Sequence, residues 1–210
     1  MKNQEKFDII LSWVTLSIAF AIVLGTFSSG MEDIFVTLPI AFLAVGTGFV
    51  FHELAHRQAA RKFGFHSEYR AWYGMLAIAL LFSFFTGFVL AAPGATYFFG
   101  KNVTRKQNGL ISVAGPITNI FIGFIFLLFA IALIKSDIYS SSMGIIPIIL
   151  YHVSQINFFF AFFNMLPFFV FDGAKVFIWN KKIWLAVMGI AAILVFFPQL
   201  LLGIFGIALA

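Results

Sequence analysis

The chain has 210 residues, of which 62% are hydrophobic and only 10% are charged, and its mean hydropathy is +1.03. Soluble domains are about 45–50% apolar and about 25% charged, so this composition excludes an ordinary soluble domain and predicts an all-α polytopic membrane protein. The net charge of +5 comes from short basic segments between apolar runs, where it sets membrane orientation and does not indicate nucleic-acid binding.

Five apolar runs are long enough to cross a membrane, since about 20 helical residues span the hydrocarbon core. They cover residues 7–27, 34–63, 110–134, 145–168 and 183–208. The first run could be a signal peptide, but it is longer than an h-region and no small-x-small cleavage site follows it, so we expect a retained helix. A short turn is expected at Ser28–Asp33. Residues 1–210 are predicted to form a single integral membrane domain with five to six transmembrane helices.

The second apolar run ends in an H-E-x-x-H motif formed by His52, Glu53 and His56. Residues four apart lie on the same face of a helix, so the two imidazoles suit two corners of a tetrahedral zinc site. Glu53 can then hold an attacking water without being a ligand. The alternative is a chance match whose histidines bond neighbouring carbonyls, although such groups are costly in a membrane helix. The motif predicts one zinc ion per chain.

Residues 75–99 are long enough to cross the membrane, but they contain Gly87 and a Pro-Gly pair. Crossing would place the two flanking basic loops on opposite sides, whereas dipping and returning keeps both on one side, as the positive-inside rule favours. We predict a membrane-associated re-entrant or β-like element, extended near residues 92–99. Such an edge, including Pro93, Gly94 and Ala95, could pair with an unwound substrate strand.

The basic residues indicate an orientation. With the N-terminus inside, five spans and one re-entrant segment place every Lys and Arg except Lys135 on the inner side of the membrane. It also places the histidine pair and Asp172 at the same, cytosolic, face.

A catalytic zinc usually has three protein ligands and a water, so one further ligand is needed. No glutamate follows Glu68, which excludes a downstream glutamate ligand. Asp172 ends an apolar run, where an unpaired carboxylate is expensive and zinc would compensate it. His66 and Glu68 are the other candidates, although their basic segment suits solvated roles. Alternatively, Asp172 pairs with Lys175 or with a backbone amide.

Several polar residues lie in the fourth predicted span. We expect His152, Gln155 and Asn157 to form hydrogen bonds between helices, with a water path or substrate channel as the alternative for His152. Asn164 lies eight residues before Asp172 and could bond substrate backbone or a developing oxyanion; structural packing is the alternative.

Together, these residues resemble the site-2 protease family of intramembrane zinc metalloproteases. That family combines H-E-x-x-H with a downstream N-x-x-P-x-x-x-x-D-G, which reads NMLPFFVFDG at residues 164–173. The stretches AGPITN at 114–119 and APGA at 92–95 resemble further elements of the family. The similarity covers about residues 34–180, the expected catalytic core, flanked by the first and last predicted helices.

The resemblance implies that His52, His56 and Asp172 bind the zinc and that Glu53 is the general base. Asn164 and Asn119 would support the substrate or the oxyanion. The implied reaction is hydrolysis of a peptide bond within or next to a transmembrane segment of a membrane-protein substrate, near the cytosolic face. We therefore expect an integral protein of a prokaryotic cell membrane whose partners are the bilayer and its transmembrane substrate.

Two other functions stay open at the level of sequence. One is a CAAX-type membrane metalloprotease, whose zinc site uses a downstream glutamate that is absent here. The other is a catalytically silent transporter or scaffold that uses the polar residues for ion coupling, although a transporter is expected to have internal repeats and none is evident. Zinc content and the effect of Glu53→Gln on cleavage would separate these functions. The oligomeric state is not indicated.

Overall fold

A computed structural model of the protein describes residues 3–27, 34–89, 92–100, 102–136, 144–168 and 170–204. These residues form helices and a two-stranded sheet, which confirms the predicted all-α polytopic class. The helices are α1 (Asn3–Phe27), α2 (Ile34–Val45), α3 (Phe51–Lys62), α4 (Tyr73–Thr86), α5 (Arg105–Lys135), α6 (Ile145–Asn164), α7 (Asp172–Trp179), α8 (Lys181–Phe196) and α9 (Pro198–Ile204). The strands are β1 (His66–Ala71) and β2 (Gly94–Phe99).

In the described residues, four helical stretches are long and apolar enough to cross a membrane. They are Asn3–Thr26, Ile34–Lys62, Arg105–Lys135 and Ile145–Asn164. The helices α8 and α9 add a fifth if they form one span, although they are bent by 81° relative to each other. The continuous last helix predicted for 183–208 is therefore wrong: Pro198 lacks a backbone N–H and disfavours helix at Phe197. Residues 205–208 and the predicted turn at Ser28–Asp33 lie outside the described residues.

The helix that carries the histidine motif contains a π-helical turn. This turn covers Gly46–Val50 and lies between α2 and α3. Such turns are frequent at functional sites. Beyond it, His52, His56 and Ala60 are buried along one face of α3. That face lies against α5, so the π turn directly precedes the face on which a site can form.

The strands β1 and β2 pair with each other at the two ends of the segment predicted to dip into the membrane, and this strand pair is called the hairpin below. The strands pair antiparallel, with Ala71 opposite Gly94, and Trp72 N donates to Pro93 O at 2.8 Å. The predicted extended stretch is confirmed by β2, whereas β1 was not predicted. Helix α4, inside this segment, is only about 21 Å long, short of the ~30 Å hydrocarbon core. The two ends of the segment therefore lie side by side, as a re-entrant element requires.

Two carboxylates of α1 are buried against the outer edge of β1. Glu5 Oε1 accepts hydrogen bonds from Tyr69 N (3.3 Å) and from the guanidinium of Arg57 (3.1 Å). Asp8 Oδ2 accepts one from Ala71 N (3.4 Å). Because these carboxylates accept hydrogen bonds from β1 amides that point away from β2, they cover one edge of the hairpin. Within the described chain, the other edge of β2 pairs with no strand.

The largest buried apolar cluster holds α1, α2 and α6 together. Its members include Leu16, Phe20, Ala44, Val153 and Phe160. Small residues on α2 allow close helix approach, and the aromatic rings of α6 fill the space between the helices. This packing fixes α6, and with it the start of the chain segment that leads to Asp172.

Candidate metal centre

Two histidines of α3 and one aspartate of α7 converge in the interior. The Nε2 atoms of His52 and His56 are 2.9 Å apart. Asp172 Oδ2 lies 3.2 Å from His52 Nε2 and 2.8 Å from His56 Nε2. All three residues are buried, with 3%, 5% and 8% of their surface exposed. The fold therefore brings together three metal-ligating side chains from distant parts of the sequence.

The other ring nitrogen of each histidine has a fixed acceptor on α5. His56 Nδ1 donates to the carbonyl of Ile111 (2.8 Å), which can only accept. His52 Nδ1 lies 2.6 Å from Asn119 Oδ1. The amide nitrogen of Asn119 donates to Gly48 O at 2.7 Å, so its oxygen faces the imidazole and accepts. In the neutral form of each ring, the proton is therefore expected on Nδ1, so that Nε2 presents its lone pair to the centre.

Three such atoms in contact form a group that could hold a metal ion. Neutral imidazole nitrogen and carboxylate oxygen are ordinary zinc ligands, and a tetrahedral zinc with bonds of about 2.0–2.1 Å holds its ligands about 3.3 Å apart. The observed separations of 2.8, 2.9 and 3.2 Å are close to that spacing. Metal-binding histidines almost always donate their second N–H to a protein or water acceptor. The donors and their orientation therefore fit a zinc ion with one position left for water or substrate.

Asp172 reaches the centre from the first turn of α7. Its other oxygen, Oδ1, accepts a hydrogen bond from Lys175 Nζ at 3.2 Å, so the pairing expected as an alternative coexists with the approach to the histidines. Burial works against the charged form, but the positive charge of His56 when it is protonated, together with that of Lys175, holds the pKa of Asp172 well below its usual range. Asp172 is therefore a carboxylate at neutral pH, the form that binds metal ions.

Two glycines make this convergence possible. A Cβ on Gly115 of α5 would lie 2.6 Å from Nε2 of both His52 and His56. A Cβ on Gly173 would lie 2.1 Å from the carbonyl oxygen of Met165, where the start of α7 packs on the chain that leaves α6. Only glycine permits these approaches, which explains the glycine in both the Gly-Pro and the Asp-Gly pairs of the sequence.

Glu53 lies on the wall of the same cavity. Its Oε2 accepts a 2.5 Å hydrogen bond from Thr96 Oγ1 of β2. The cavity is also lined by the three convergent residues and by the β2 segment, including Pro93, Gly94 and Ala95. A carboxylate beside three convergent ligand atoms, but not among them, can exchange a proton with water held there.

The two other candidates for the third ligand lie elsewhere, on β1. The imidazole of His66 is largely exposed and Nε2 lies 3.2 Å from Glu68 Oε1. Glu68 is buried, and its Oε2 pairs with Arg70 at 2.8 Å, so the expectation of a solvated carboxylate at this position is wrong. The strand β1 directs the Glu68 side chain inward, and the basic composition of the segment gives no indication of this.

The two asparagines expected to support the oxyanion occupy different places. Asn164 lines the cavity, and its Nδ2 donates to Phe160 O of its own helix at 3.0 Å. Asn119 is fully buried behind His52 and does not line the cavity. Because its oxygen is bonded to the imidazole and its amide nitrogen donates to Gly48 O, Asn119 orients a histidine and is not available to an oxyanion. That part of the expectation is wrong.

Apart from Asn164, the polar residues of α6 that were singled out in the sequence do not line this cavity. Asn157 donates to Thr47 Oγ1 (3.1 Å) and to Val153 O (2.8 Å), a bond between helices as expected. His152 and Gln155 line a separate cavity against α1.

Two contributors to the site were not predicted from the sequence. Thr96 and the carbonyl of Ile111 each hold one residue of the H-E-x-x-H motif. A backbone carbonyl leaves no trace in residue identity. Thr96 has a weak signal, as a β-branched polar residue inside the predicted extended stretch.

The sequence is similar to that of a curated protein. The chain is 40% identical over 191 residues to a Methanocaldococcus jannaschii protein that bears the name "Putative zinc metalloprotease MJ0611". The alignment covers 91% of this chain and 92% of that protein. No family model and no solved structure matches the chain.

Proposed function

The chain belongs to the metalloprotease family of its Methanocaldococcus jannaschii relative, and from this premise we propose that it is an intramembrane zinc metalloprotease of the site-2 protease type. In this proposal His52, His56 and Asp172 hold one zinc ion per chain, and Glu53 is the general base. The catalytic core is residues 34–180, with the first and last helices flanking it.

One observation carries the proposal. Both imidazoles direct Nδ1 to an acceptor on α5, so in their neutral form two Nε2 lone pairs meet the carboxylate of Asp172 in the interior. Buried polar atoms normally have partners, and one bound cation would serve all three atoms at once. The two histidines lie in a helical stretch of membrane-spanning length, where uncompensated polar groups are most costly.

The mechanism assigns the chemistry to named side chains. His52, His56 and Asp172 would hold the zinc ion, which would supply a Lewis acid able to activate water near neutral pH and to polarise a peptide carbonyl. Glu53 takes the proton from the attacking water and then delivers it to the nitrogen of the leaving amine. Asn164, on the cavity wall, would turn its amide from Phe160 O towards the developing oxyanion. Asn119 holds His52 in the orientation that binds metal.

The substrate of this proposal is a transmembrane segment that unwinds locally, because a helical amide is shielded by its own turn. Tyr69 and Ala71 direct their N–H groups to α1, so they belong to non-hydrogen-bonded pairs of the hairpin. Their partners, Thr96 and Gly94, therefore direct their backbone groups to the free edge of β2. This edge borders the metal cavity and would pair with the unwound substrate.

The proposed location is a prokaryotic cell membrane, with the site at the cytosolic face. The distribution of Lys and Arg supports this orientation, because the end of α3, the segment after β2 and the segment around α7 are all basic. Lys62, Lys106 and Lys181 belong to these three segments.

Cleavage tests the proposal directly. The purified chain is reconstituted in liposomes with a pool of single-span membrane proteins, and new chain ends are identified by mass spectrometry. We expect the wild type to produce ends inside transmembrane segments and Glu53→Gln to reduce their rate by at least about 100-fold, since the base is lost.

The control is zinc content, which Glu53→Gln should leave unchanged because Glu53 is not a ligand. Equal cleavage by both proteins would contradict the assignment of the base. Zinc without cleavage by the wild type would favour a silent membrane protein.

A further inference from the structure

We propose that Thr96 is a positioning residue for the reaction: its hydroxyl holds the Glu53 carboxylate at the metal cavity. This inference rests on the proposed function, because it assumes that Glu53 is the base.

The contact joins the strand β2 to the helix that carries the H-E-x-x-H motif. Thr96 lies in the middle of β2, and Glu53 lies in the first turn of α3. The Thr96 hydroxyl donates to Glu53 Oε2, which leaves Oε1 without this bond. A glutamate has three side-chain torsions, so a hydrogen bond to one oxygen removes much of its freedom and directs the other oxygen.

The backbone of Thr96 has a different task from its side chain. Thr96 pairs with Tyr69, whose N–H is bonded to Glu5 on the outer side of the hairpin. Opposite residues in an antiparallel pair share their bonding state, so the Thr96 backbone groups point to the free edge of β2. The same residue therefore touches the base through its hydroxyl and borders the proposed substrate edge through its amide.

This division of tasks predicts a separation of kinetic effects. Removing the hydroxyl leaves the β2 edge, the metal ligands and the strand in place, because valine has the shape of threonine and favours strands equally well. Substrate pairing should then persist while the base loses its orientation. The effect should appear in kcat and not in KM.

The test compares Thr96→Val with Thr96→Ser in liposomes, using the pool member that the wild type cleaves fastest. We expect Thr96→Val to lower kcat about 10-fold, with KM within about two-fold of the wild type and zinc content unchanged. Thr96→Ser keeps the hydroxyl and should retain at least about half of the wild-type kcat.

Two controls make the result decisive. Thr26→Val removes an exposed hydroxyl that bonds only within α1, and it should change neither kcat nor KM. Glu53→Gln in the same assay tests the proposed function separately. If Glu53→Gln abolishes cleavage but Thr96→Val keeps the wild-type kcat, or if Thr96→Ser loses as much as Thr96→Val, the role of Thr96 is refuted. A Thr96→Val protein that has lost its zinc would also refute it, because the residue would then support the fold and not the base.

Discussion

Each imidazole of the candidate metal centre is held by an acceptor on α5. For His56 this acceptor is the carbonyl of Ile111, and for His52 it is the side chain of Asn119. Asn119 is itself fixed by its bond to Gly48 O. The orientation of the His52 ring therefore depends on α3, on α5 and on the π-helical turn. Such supporting bonds typically change metal affinity by 10- to 100-fold when they are removed.

Asn119→Ala is therefore expected to weaken zinc binding by about 10- to 100-fold, because His52 loses the acceptor that fixes its ring. Asn119→Asp keeps an acceptor at the same place and should retain more of the affinity. Competition with a zinc chelator measures both constants. Equal affinities for the wild type and Asn119→Ala would contradict the orienting role.

At the scale of elements, the hairpin determines where the re-entrant segment begins and ends. The pairing of Ala71 with Gly94 brings its two ends together, and Glu5 and Asp8 attach β1 to α1. Helix α5 then starts close to the hairpin and runs for 31 residues, which is enough to cross the membrane. The loops before and after the re-entrant segment should thus lie on one side, and the far end of α5 on the other.

Single cysteines test this topology cleanly, because the chain contains none. Lys62→Cys and Lys106→Cys should react with a membrane-impermeant thiol reagent from the same side of the membrane. Lys135→Cys, at the end of α5, should react from the opposite side. All three replace an exposed lysine, so each serves as a control for the others. Labelling of Lys62→Cys and Lys106→Cys from opposite sides would contradict the re-entrant arrangement.

At the scale of the whole molecule, much of the architecture follows from sequence patterns. Apolar runs of about 20 residues predict spans, and the i, i+4 spacing of His52 and His56 predicts their shared face. The strand β1, the break at Phe197 and the inward side chain of Glu68 were not predicted. The strand β1 depends on pairing with the distant strand β2. Its short basic sequence has no alternation of apolar and polar residues that would predict a strand.

The site was less predictable than the spans. Asp172 could be favoured as the third ligand because the negative charge of an aspartate at the end of an apolar run needs a positive partner. The orientation of Asn119 towards His52, and the bond of Thr96 to Glu53, depend on how α5 and β2 pack against α3. Tertiary packing of this kind has no signature in a single sequence. Residue types therefore pointed to the three side chains that the fold brings together, whereas the residues that orient them required the fold.

Zinc per chain is the most direct test of the central claim, measured by elemental analysis of purified wild type beside Asp172→Ala and His66→Ala. The account predicts about one zinc in the wild type and in His66→Ala, and a large loss in Asp172→Ala, because Asp172 is the carboxylate that meets the two histidines in the part of the chain that the structure describes. Full zinc in Asp172→Ala, or none in the wild type under conditions that retain metal, would contradict it.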